Sequence, residues 1–355
     1  MTSPKDIADE LKSVIGSNDE EATVKHFLDM GFPPLNESSS AKWDGGLPVG
    51  RMVEIAGPPS SGKTAIATAA MAAAQKAGGI AAFMDHERSF SLTLAPKLGL
   101  DTTPGKFIFK KPRTFEESLE TAAKAAAAIR SKKLIKKDAP ICWVFDSLAS
   151  MVPQSALLDK NGEIKSLEDR NMNDNTALAR ATSAAFPAFA QHCEEYDMCA
   201  IFLNQMRTKI GVMFGDPRKT TGGNAPEFYF SQRLWLSASQ IKQGTEIIGQ
   251  EVTGKFVKNK ISRPFREAKW RFMFNPKDGT GYFDRERSLV EFLISIGKID
   301  KGTAGRIVWD GKTTHPETLA RKIEAEGKFD ELVKLLPAAY EPEVVAEAST
   351  DEAAS

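Results

Sequence analysis

Residues Gly57-Pro58-Pro59-Ser60-Ser61-Gly62-Lys63-Thr64 match the pattern Gly-x-x-x-x-Gly-Lys-Ser/Thr, and few patterns of that length restrict a fold as tightly. Its glycines let backbone N–H groups curl round phosphate oxygens, the lysine supplies a point charge, and the hydroxyl can ligate Mg²⁺. The pattern works only between a strand and a helix. Met52-Val53-Glu54-Ile55-Ala56 alternates like a strand, and Ala65 to Ala77 is an Ala-rich helix former ending at Gly78-Gly79. A chain with this segment is expected to be α/β and to bind ATP.

Further apolar strands alternate with helical patterns. Ile80 to Met84 precedes a helix over Thr114 to Lys132 that opens with a Thr114/Glu117 capping box. Ile141 to Phe145 follows, then a helix around Thr176 to Glu195 interrupted by Pro187, then Cys199 to Leu203. That order predicts a mostly parallel sheet flanked by helices, with ligands at the carboxyl ends of its strands. Polar residues stand at three of those ends. Asp146 follows an uninterrupted apolar strand and suits a carboxylate that holds Mg²⁺ beside Thr64. Glu87 lies beside the phosphate loop, where a carboxylate can orient an attacking water. Gln205 offers a neutral amide able to sense a γ-phosphate.

Charge narrows the partners. The 355 residues carry no formal net charge, which argues against a generic polyanion binder. Lys242 to Arg271 nevertheless holds eight basic residues against three acids, and Glu341 to Ser355 holds five acids and no base. A basic stretch and an acidic tail in one chain point to nucleic acid, or to a solvated face and a solubilising tail. No apolar run approaches the roughly 20 residues of a membrane span, and the first residues carry acids, unlike a secretory signal. A cytoplasmic protein without membrane contact is expected. Cys142, Cys193 and Cys199 lack metal-ligand spacing and read as reduced core thiols.

The segment Asn204-Gln205-Met206-Arg207-Thr208-Lys209-Ile210-Gly211-Val212-Met213-Phe214-Gly215, continuing through Thr220-Thr221-Gly222-Gly223-Asn224-Ala225, resembles the second DNA-binding loop of the RecA recombinase family, bacterial or phage-encoded. Val257-Lys258-Asn259-Lys260-Ile261 with Pro264-Phe265, and Gly45-Gly46-Leu47-Pro48-Val49-Gly50-Arg51, resemble the same family. The likeness covers roughly Gly31 to Phe274.

The resemblance implies an ATP-dependent recombinase that forms a helical filament on single-stranded DNA and pairs it with double-stranded DNA. It makes Glu87 the water-activating glutamate, Asp146 the Mg²⁺ carboxylate, and Gln205 the link from γ-phosphate to DNA loop. Lys258 and Lys260 become lysines that reach the nucleotide of the neighbouring subunit, an arrangement akin to a trans-acting arginine finger. Lys63, Glu87, Gln205, Lys258 and Lys260 form the expected catalytic set, with Thr64 and Asp146 for the metal. In the loop itself, Arg207, Lys209, Arg218 and Lys219 can pair with phosphates, and Gly222-Gly223 allows close backbone approach. Asn224 can cap or donate, while Ile210, Met213 and Phe214 offer apolar wedges between bases. Such a loop is expected to order only with DNA. Ser155 to Asn175 could form a first DNA loop, with Arg180 after it.

The chain also departs from the family pattern. No polymerisation strand is recognisable near the N-terminus. Leu94 stands where a tyrosine stacks on adenine, and Glu227, beside Phe228, where a basic residue is usual. The expected division is a short helical N-terminal segment over 1–35, in which Pro33-Pro34 ends the helices before a Ser-rich linker, and an ATPase and DNA-binding core over 36–275. A small α/β C-terminal domain over 276–338 and an acidic tail over 339–355 complete it. Repressor and loader proteins are further partners that the resemblance allows. Two rival readings share the phosphate site: a hexameric DNA motor, and an ATP-gated scaffold that coats DNA and signals.

Overall fold

The computed structural model describes residues 10, 13, 23–166, 168, 174–208, 218–277 and 281–338, leaving out the side chains of 174, 175, 207 and 208. Among the described residues the first strand is β1 (Phe27–Leu28), which pairs antiparallel with β2 (Leu47–Pro48). Between them lies a helix, Pro33–Ser40. Here the structure reverses the expectation of a break and a linker. Proline in the first helical turn lacks only an N–H that has no partner there, and its φ already suits a helix, so Pro33-Pro34 starts this one. The serines are buried in place of being a tether. Ser38 and Ser40 return their hydroxyls to the carbonyls of Leu35 and Asn36, and Ser39 bonds the carbonyl of Gly46.

Next come β3 (Met52–Gly57), β4 (Ile80–Asp85), β5 (Phe107–Lys110), β6 (Ile141–Asp146) and β7 (Met198–Thr208). The short β8 (Arg218–Thr220) is followed by β9 (Gln232–Gln243), β10 (Glu246–Asn259), β11 (Glu267–Phe274) and β12 (Gly281–Phe283). One sheet of ten strands holds them in the order β12-β11-β10-β9-β3-β7-β6-β4-β5, with β8 paired to β7. From β9 to β5 all pairings are parallel; from β9 to β12 they are antiparallel.

The two halves bury differently for a physical reason. Helices cover both faces of the parallel half, so β3, β4 and β6 are buried at every residue. Even Glu54, which reads as the polar face of an alternating strand, is 0% exposed. Strand β10 faces a core on one side and mixes buried with exposed positions. On one face of the sheet the helix Lys63–Lys76 packs through Ala67, Ala70, Met71 and Ala74. On the other, Phe145, Phe186, Phe189, Phe202 and Phe230 form an aromatic cluster, with the Phe145 and Phe202 rings stacked at 4.5 Å.

The helix Asp174–Glu195 runs through Pro187 without a break, contrary to the sequence expectation. An interior proline costs about 3 kcal/mol, but Phe186 and Phe189 on either side are buried against the sheet and hold both halves of the helix down. The helix Phe115–Ser131 starts as expected: Thr114 Oγ1 accepts from the Glu117 N–H at 3.1 Å, and Glu117 accepts from the Arg113 N–H at 2.7 Å.

After β12 come the helix Arg285–Ser295, a sheet of β13 (Asp300–Lys301), β14 (Ile307–Trp309) and β15 (Lys312–Thr314), and the helix Pro316–Glu326. Leu289, Val290, Ile307, Leu319 and Ile323 belong to the same apolar cluster as β9, β10 and β11. Buried Asp284 pairs with Arg271 on β11 at 3.8 Å and with Arg321, tying this region to the sheet. The basic stretch that hinted at nucleic acid is thus partly engaged inside the fold. Arg271 serves Asp284 and Glu291, and Arg266 pairs with Glu37 at 2.6 Å. All three cysteines are free and buried, as expected. Among the described residues no helix is long and apolar enough to cross a membrane.

Candidate nucleotide and nucleic-acid site

Strand register brings the polar ends together. Gly57 on β3 faces Gln205 on β7, and Asp85 on β4 faces Asp146 on β6. Backbone bonds from the His86 and Glu87 N–H groups to the Asp146 carbonyl, 2.7 and 3.1 Å, stitch the turn after β4 onto the end of β6. The phosphate loop leaves β3 at Gly57, where a Cβ would lie 2.8 Å from both Leu236 Cβ and Ser61 Oγ. It enters the helix through Gly62 at φ 84°, a left-handed conformation that favours glycine. The first N–H groups of the helix Lys63–Lys76 have no partner within it and point towards the loop. Lys63 Nζ arches back over the loop to the carbonyls of Gly57 and Pro58, at 3.0 and 2.8 Å.

Asp146 is 5% exposed, and its carboxyl is pushed up to about 7 by burial, then by the nearby Glu87 and Asp85 charges. Lys63 and a hydrogen bond from Thr64 oppose that rise without cancelling it. Burial in turn lowers the ammonium of Lys63, against the pull of Asp146 and Glu87. A buried carboxyl with a raised pKa beside a threonine hydroxyl lacks positive charge, which a divalent cation supplies. Among the described residues no group of three or more His, Cys, Asp or Glu is arranged to hold a metal alone. One carboxylate with one threonine hydroxyl fits Mg²⁺, which takes one or two protein ligands and completes its shell with phosphate and water.

Glu87 and Gln205, expected as separate strand-end groups, touch. Gln205 Nε2 donates to Glu87 Oε1 at 3.0 Å, and the same oxygen accepts from Ser147 Oγ and, at 3.3 Å, from Ser150 Oγ. These two serines escaped sequence reading, although both follow Asp146 closely. A cleft of about 360 Å³ runs from the phosphate loop past Ser91 and Leu94. Leu94 therefore lines it as expected. Phe272 and Phe274 on β11, beside Gly281 on β12, line it too. No sequence signal marked these, because they lie some two hundred residues from the loop they face.

Beyond Gln205, β7 continues as one limb of a hairpin whose other limb is β8, pairing Met206 with Thr220, Arg207 with Lys219 and Thr208 with Arg218. The stem is thus ordered strand where a wholly unordered loop was expected. Lys209, Ile210, Met213 and Phe214 lie outside the described residues, as does the side chain of Arg207. Lys219 is exposed, and Arg218 is exposed with its guanidinium 5.2 Å from the ring centroid of Trp235. Gly222 and Gly223 have a packing role that was not anticipated. Their φ values are 110° and 70°, and added Cβ atoms would meet Leu148 Cδ2 at 3.0 Å and Ala179 Cβ at 2.7 Å. Asn224 precedes the short helix Ala225–Tyr229 but makes no side-chain cap bond, so the expected cap is absent and its exposed amide is left to donate elsewhere. Arg180 lies exposed next to Ala179 and donates to Thr176 Oγ1 at 2.6 Å. The stretch Ser155 to Asn175 contains an isolated bridge, Leu158 to Ile164, and several residues outside the description.

Lys258 and Lys260 are absent from the lining of this cleft. The Lys260 N–H bonds the Ser231 carbonyl and the Ser231 N–H bonds that of Met52, so both lysines leave the sheet near the start of β3. At about 3.3 Å per residue, the start of β3 is roughly 16 Å from Gly57. Lys258 Nζ donates to the carbonyls of Glu227 and Phe228, and Lys260 Nζ to Phe228 at 3.4 Å. Burial, then Lys260 and Arg233, lower the Lys258 ammonium to about 8. Phe228 beside them is 67% exposed.

A parallel sheet with a phosphate loop on one strand and a buried carboxylate at the end of another defines a P-loop nucleoside triphosphatase. Residues 34–279 match the model of the RecA N-terminal domain. The chain is 39% identical over 262 residues to Protein RecA of Chloroherpeton thalassium, covering 73% of this chain and 66% of that protein. It is 41% identical over 265 residues to Protein RecA of Bacteroides thetaiotaomicron, covering 74% and 73%. With Protein RecA of Mycolicibacterium vanbaalenii, identity is 37% over 297 residues, 82% of this chain and 77% of that protein. The chain belongs to the RecA family, DNA-dependent ATPases of recombination and repair.

Proposed function

We propose that this protein is an ATP-dependent DNA recombinase that assembles as a helical filament on single-stranded DNA and exchanges strands with homologous duplex. ATP and Mg²⁺ are its cofactors. Gly57 to Thr64 hold the triphosphate, with Lys63 on its β and γ oxygens, and the adenine lies between Leu94 and the Phe272/Phe274 wall. Thr64 and Asp146 hold Mg²⁺, which neutralises charge on the transferred phosphoryl group. Glu87 orients the attacking water. Lys258 and Lys260 act on the nucleotide of an adjoining copy, since their own cleft is remote. The DNA surface comprises the hairpin after Gln205 with Arg207, Lys209, Ile210, Arg218 and Lys219, the turn Gly222-Gly223-Asn224, and Arg180.

One observation carries this reading: the hydrogen bond from Gln205 to Glu87 at the root of the hairpin. The amide stands where it can choose between a carboxylate and a γ-phosphate, so the presence of triphosphate alters the strand from which the hairpin grows. ATPase rate with and without single-stranded DNA tests it, alongside joint-molecule formation with homologous duplex. We expect DNA to raise the wild-type rate at least tenfold, the rise to shrink as salt competes for phosphate contacts, and Gln205→Ala to lose it. Stimulation that survives in Gln205→Ala would sink the coupling. Closed hexamers on DNA by electron microscopy would replace the filament with a ring motor, and filaments without joint molecules would leave a scaffold. The division into a core over 36–275, a C-terminal domain over 276–338 and a tail, together with cytoplasmic location and repressor or loader partners, belongs to the same proposal.

A further inference from the structure

Glu54 is fully buried on the phosphate-loop strand, three residues before Gly57, and its carboxylate has no place in the chemistry described above. Both of its oxygens are engaged, each towards a different limb of the hairpin. Oε1 accepts from Asn204 Nδ2 at 2.9 Å, where β7 heads out to the hairpin. Oε2 accepts from Arg233 Nε at 2.7 Å. Arg233, 7% exposed, passes the contact on: one Nη donates to Thr220 Oγ1 at 2.9 Å on the returning limb, and the other stands 3.8 Å from Glu227. Asn204 closes the ring by donating to the Thr221 carbonyl at 2.9 Å and accepting from the Gln205 N–H at 2.9 Å.

We propose that Glu54 is a positioning residue that couples the phosphate loop to the DNA hairpin, through Asn204 on the outgoing limb and Arg233 on the returning one. The inference rests on the recombinase reading and adds to it the physical link between its two sites. A buried carboxylate tolerates the interior only while its partners stay in place. Displacing Thr220 or Thr221 when DNA binds therefore shifts Arg233 or Asn204, and Asn204 shifts the main chain of Gln205, whose amide rests on Glu87. The buried Thr221 hydroxyl has no hydrogen-bond partner in this arrangement, so the returning limb is held through its main chain and Thr220. Beside the β7–β8 pairing and the Arg218 contact with Trp235, the Asn204 and Arg233 contacts carry movement of the limb to the phosphate-loop strand.

Two variants of the full chain test the link. Glu54→Gln turns one oxygen into an amide that faces the Arg233 Nε–H donor, and Thr220→Val removes only the contact on the returning limb while keeping shape. The measurements are single-stranded DNA affinity with ATPγS against ADP, fluorescent-nucleotide affinity, and thermal melting. For the wild type we expect a large ratio of the two DNA affinities. Glu54→Gln should reduce that ratio at least tenfold and Thr220→Val at least threefold, with nucleotide affinity within threefold of wild type. A purely structural role would lower melting without collapsing the ratio. If Glu54→Gln does not fold, Thr220→Val decides alone, because Thr220 lies at the sheet edge and the swap conserves volume. An unchanged ratio in every folded variant overturns the role of Glu54. A wild type without the ratio overturns the recombinase reading itself, and the two failures are distinct.

Discussion

At Asp146, burial and two neighbouring carboxylates hold the carboxyl near pKa 7, against about 3.9 for an aspartate in an unfolded chain. Between those values the folded state binds the proton and the unfolded state does not. The nucleotide-free protein should therefore lose stability as pH rises from about 4 to 7, by an amount on the order of a few kcal/mol. Thermal melts from pH 5 to 8 should show that slope, and Asp146→Asn should flatten it. Filling the site with Mg²⁺ and nucleotide should release a proton near pH 7, measurable from buffer-dependent calorimetric heats. Lys258 titrates the other way: burial lowers it to about 8, so it is charged below that pH and neutral above. A neighbour's triphosphate favours the charged ammonium, so assembly with nucleotide at pH 9 should take up a proton, read from buffer-dependent calorimetric heats, and Lys258→Arg, which stays charged, should lose that uptake.

Elements add what single residues do not. The turn Gly222-Gly223 reads as a device for approaching DNA, yet its nearest neighbours are Leu148, just after β6, and Ala179 on the long helix. Gly223→Ala faces both a left-handed φ of 70° and a Cβ contact of 2.7 Å. We expect it to cost about 1–3 kcal/mol and to weaken DNA binding more than nucleotide binding, read by melting and by fluorescence anisotropy. The two helices that departed from expectation teach the same lesson about proline. Local rules place Pro33-Pro34 and Pro187 as breaks, but one pair sits where the missing N–H does not matter and the other lies between two buried phenylalanines. Capping, by contrast, is local chemistry, and the Thr114 start was readable because Thr114 and Glu117 need only each other and the backbone.

For the molecule as a whole, Lys258 and Lys260 lie away from their own cleft, and under the proposed function one chain would supply half of each of two active sites. Lys258→Ala with Lys260→Ala should bind nucleotide within twofold of wild type and yet turn it over at least a hundredfold more slowly. Lys63→Ala should bind nucleotide at least a hundredfold more weakly. Mixing these two inactive proteins on single-stranded DNA should restore turnover, because each Lys63→Ala copy still offers its lysines to the cleft of the other variant. An ATPase assay over mixing ratios decides it: no recovery would mean that the lysines serve some other end.

The phosphate loop and the carboxylate strand ends were legible because their chemistry is carried by residues adjacent in the chain, where backbone conformation and strand polarity alone bring the groups to one edge; the paired stem after Gln205 was not, because it needs Arg218 to Thr220 to return beside β7. The aromatic lining of Phe272 and Phe274 and the pairing of Glu54 with Arg233 had no such local signature. They depend on β9, β10 and β11 folding back antiparallel beside β3, a long-range arrangement set by burial of the whole apolar surface. A short pattern can specify which groups meet a phosphate, but the partners that come from across the sheet follow from packing, which every part of the chain shares.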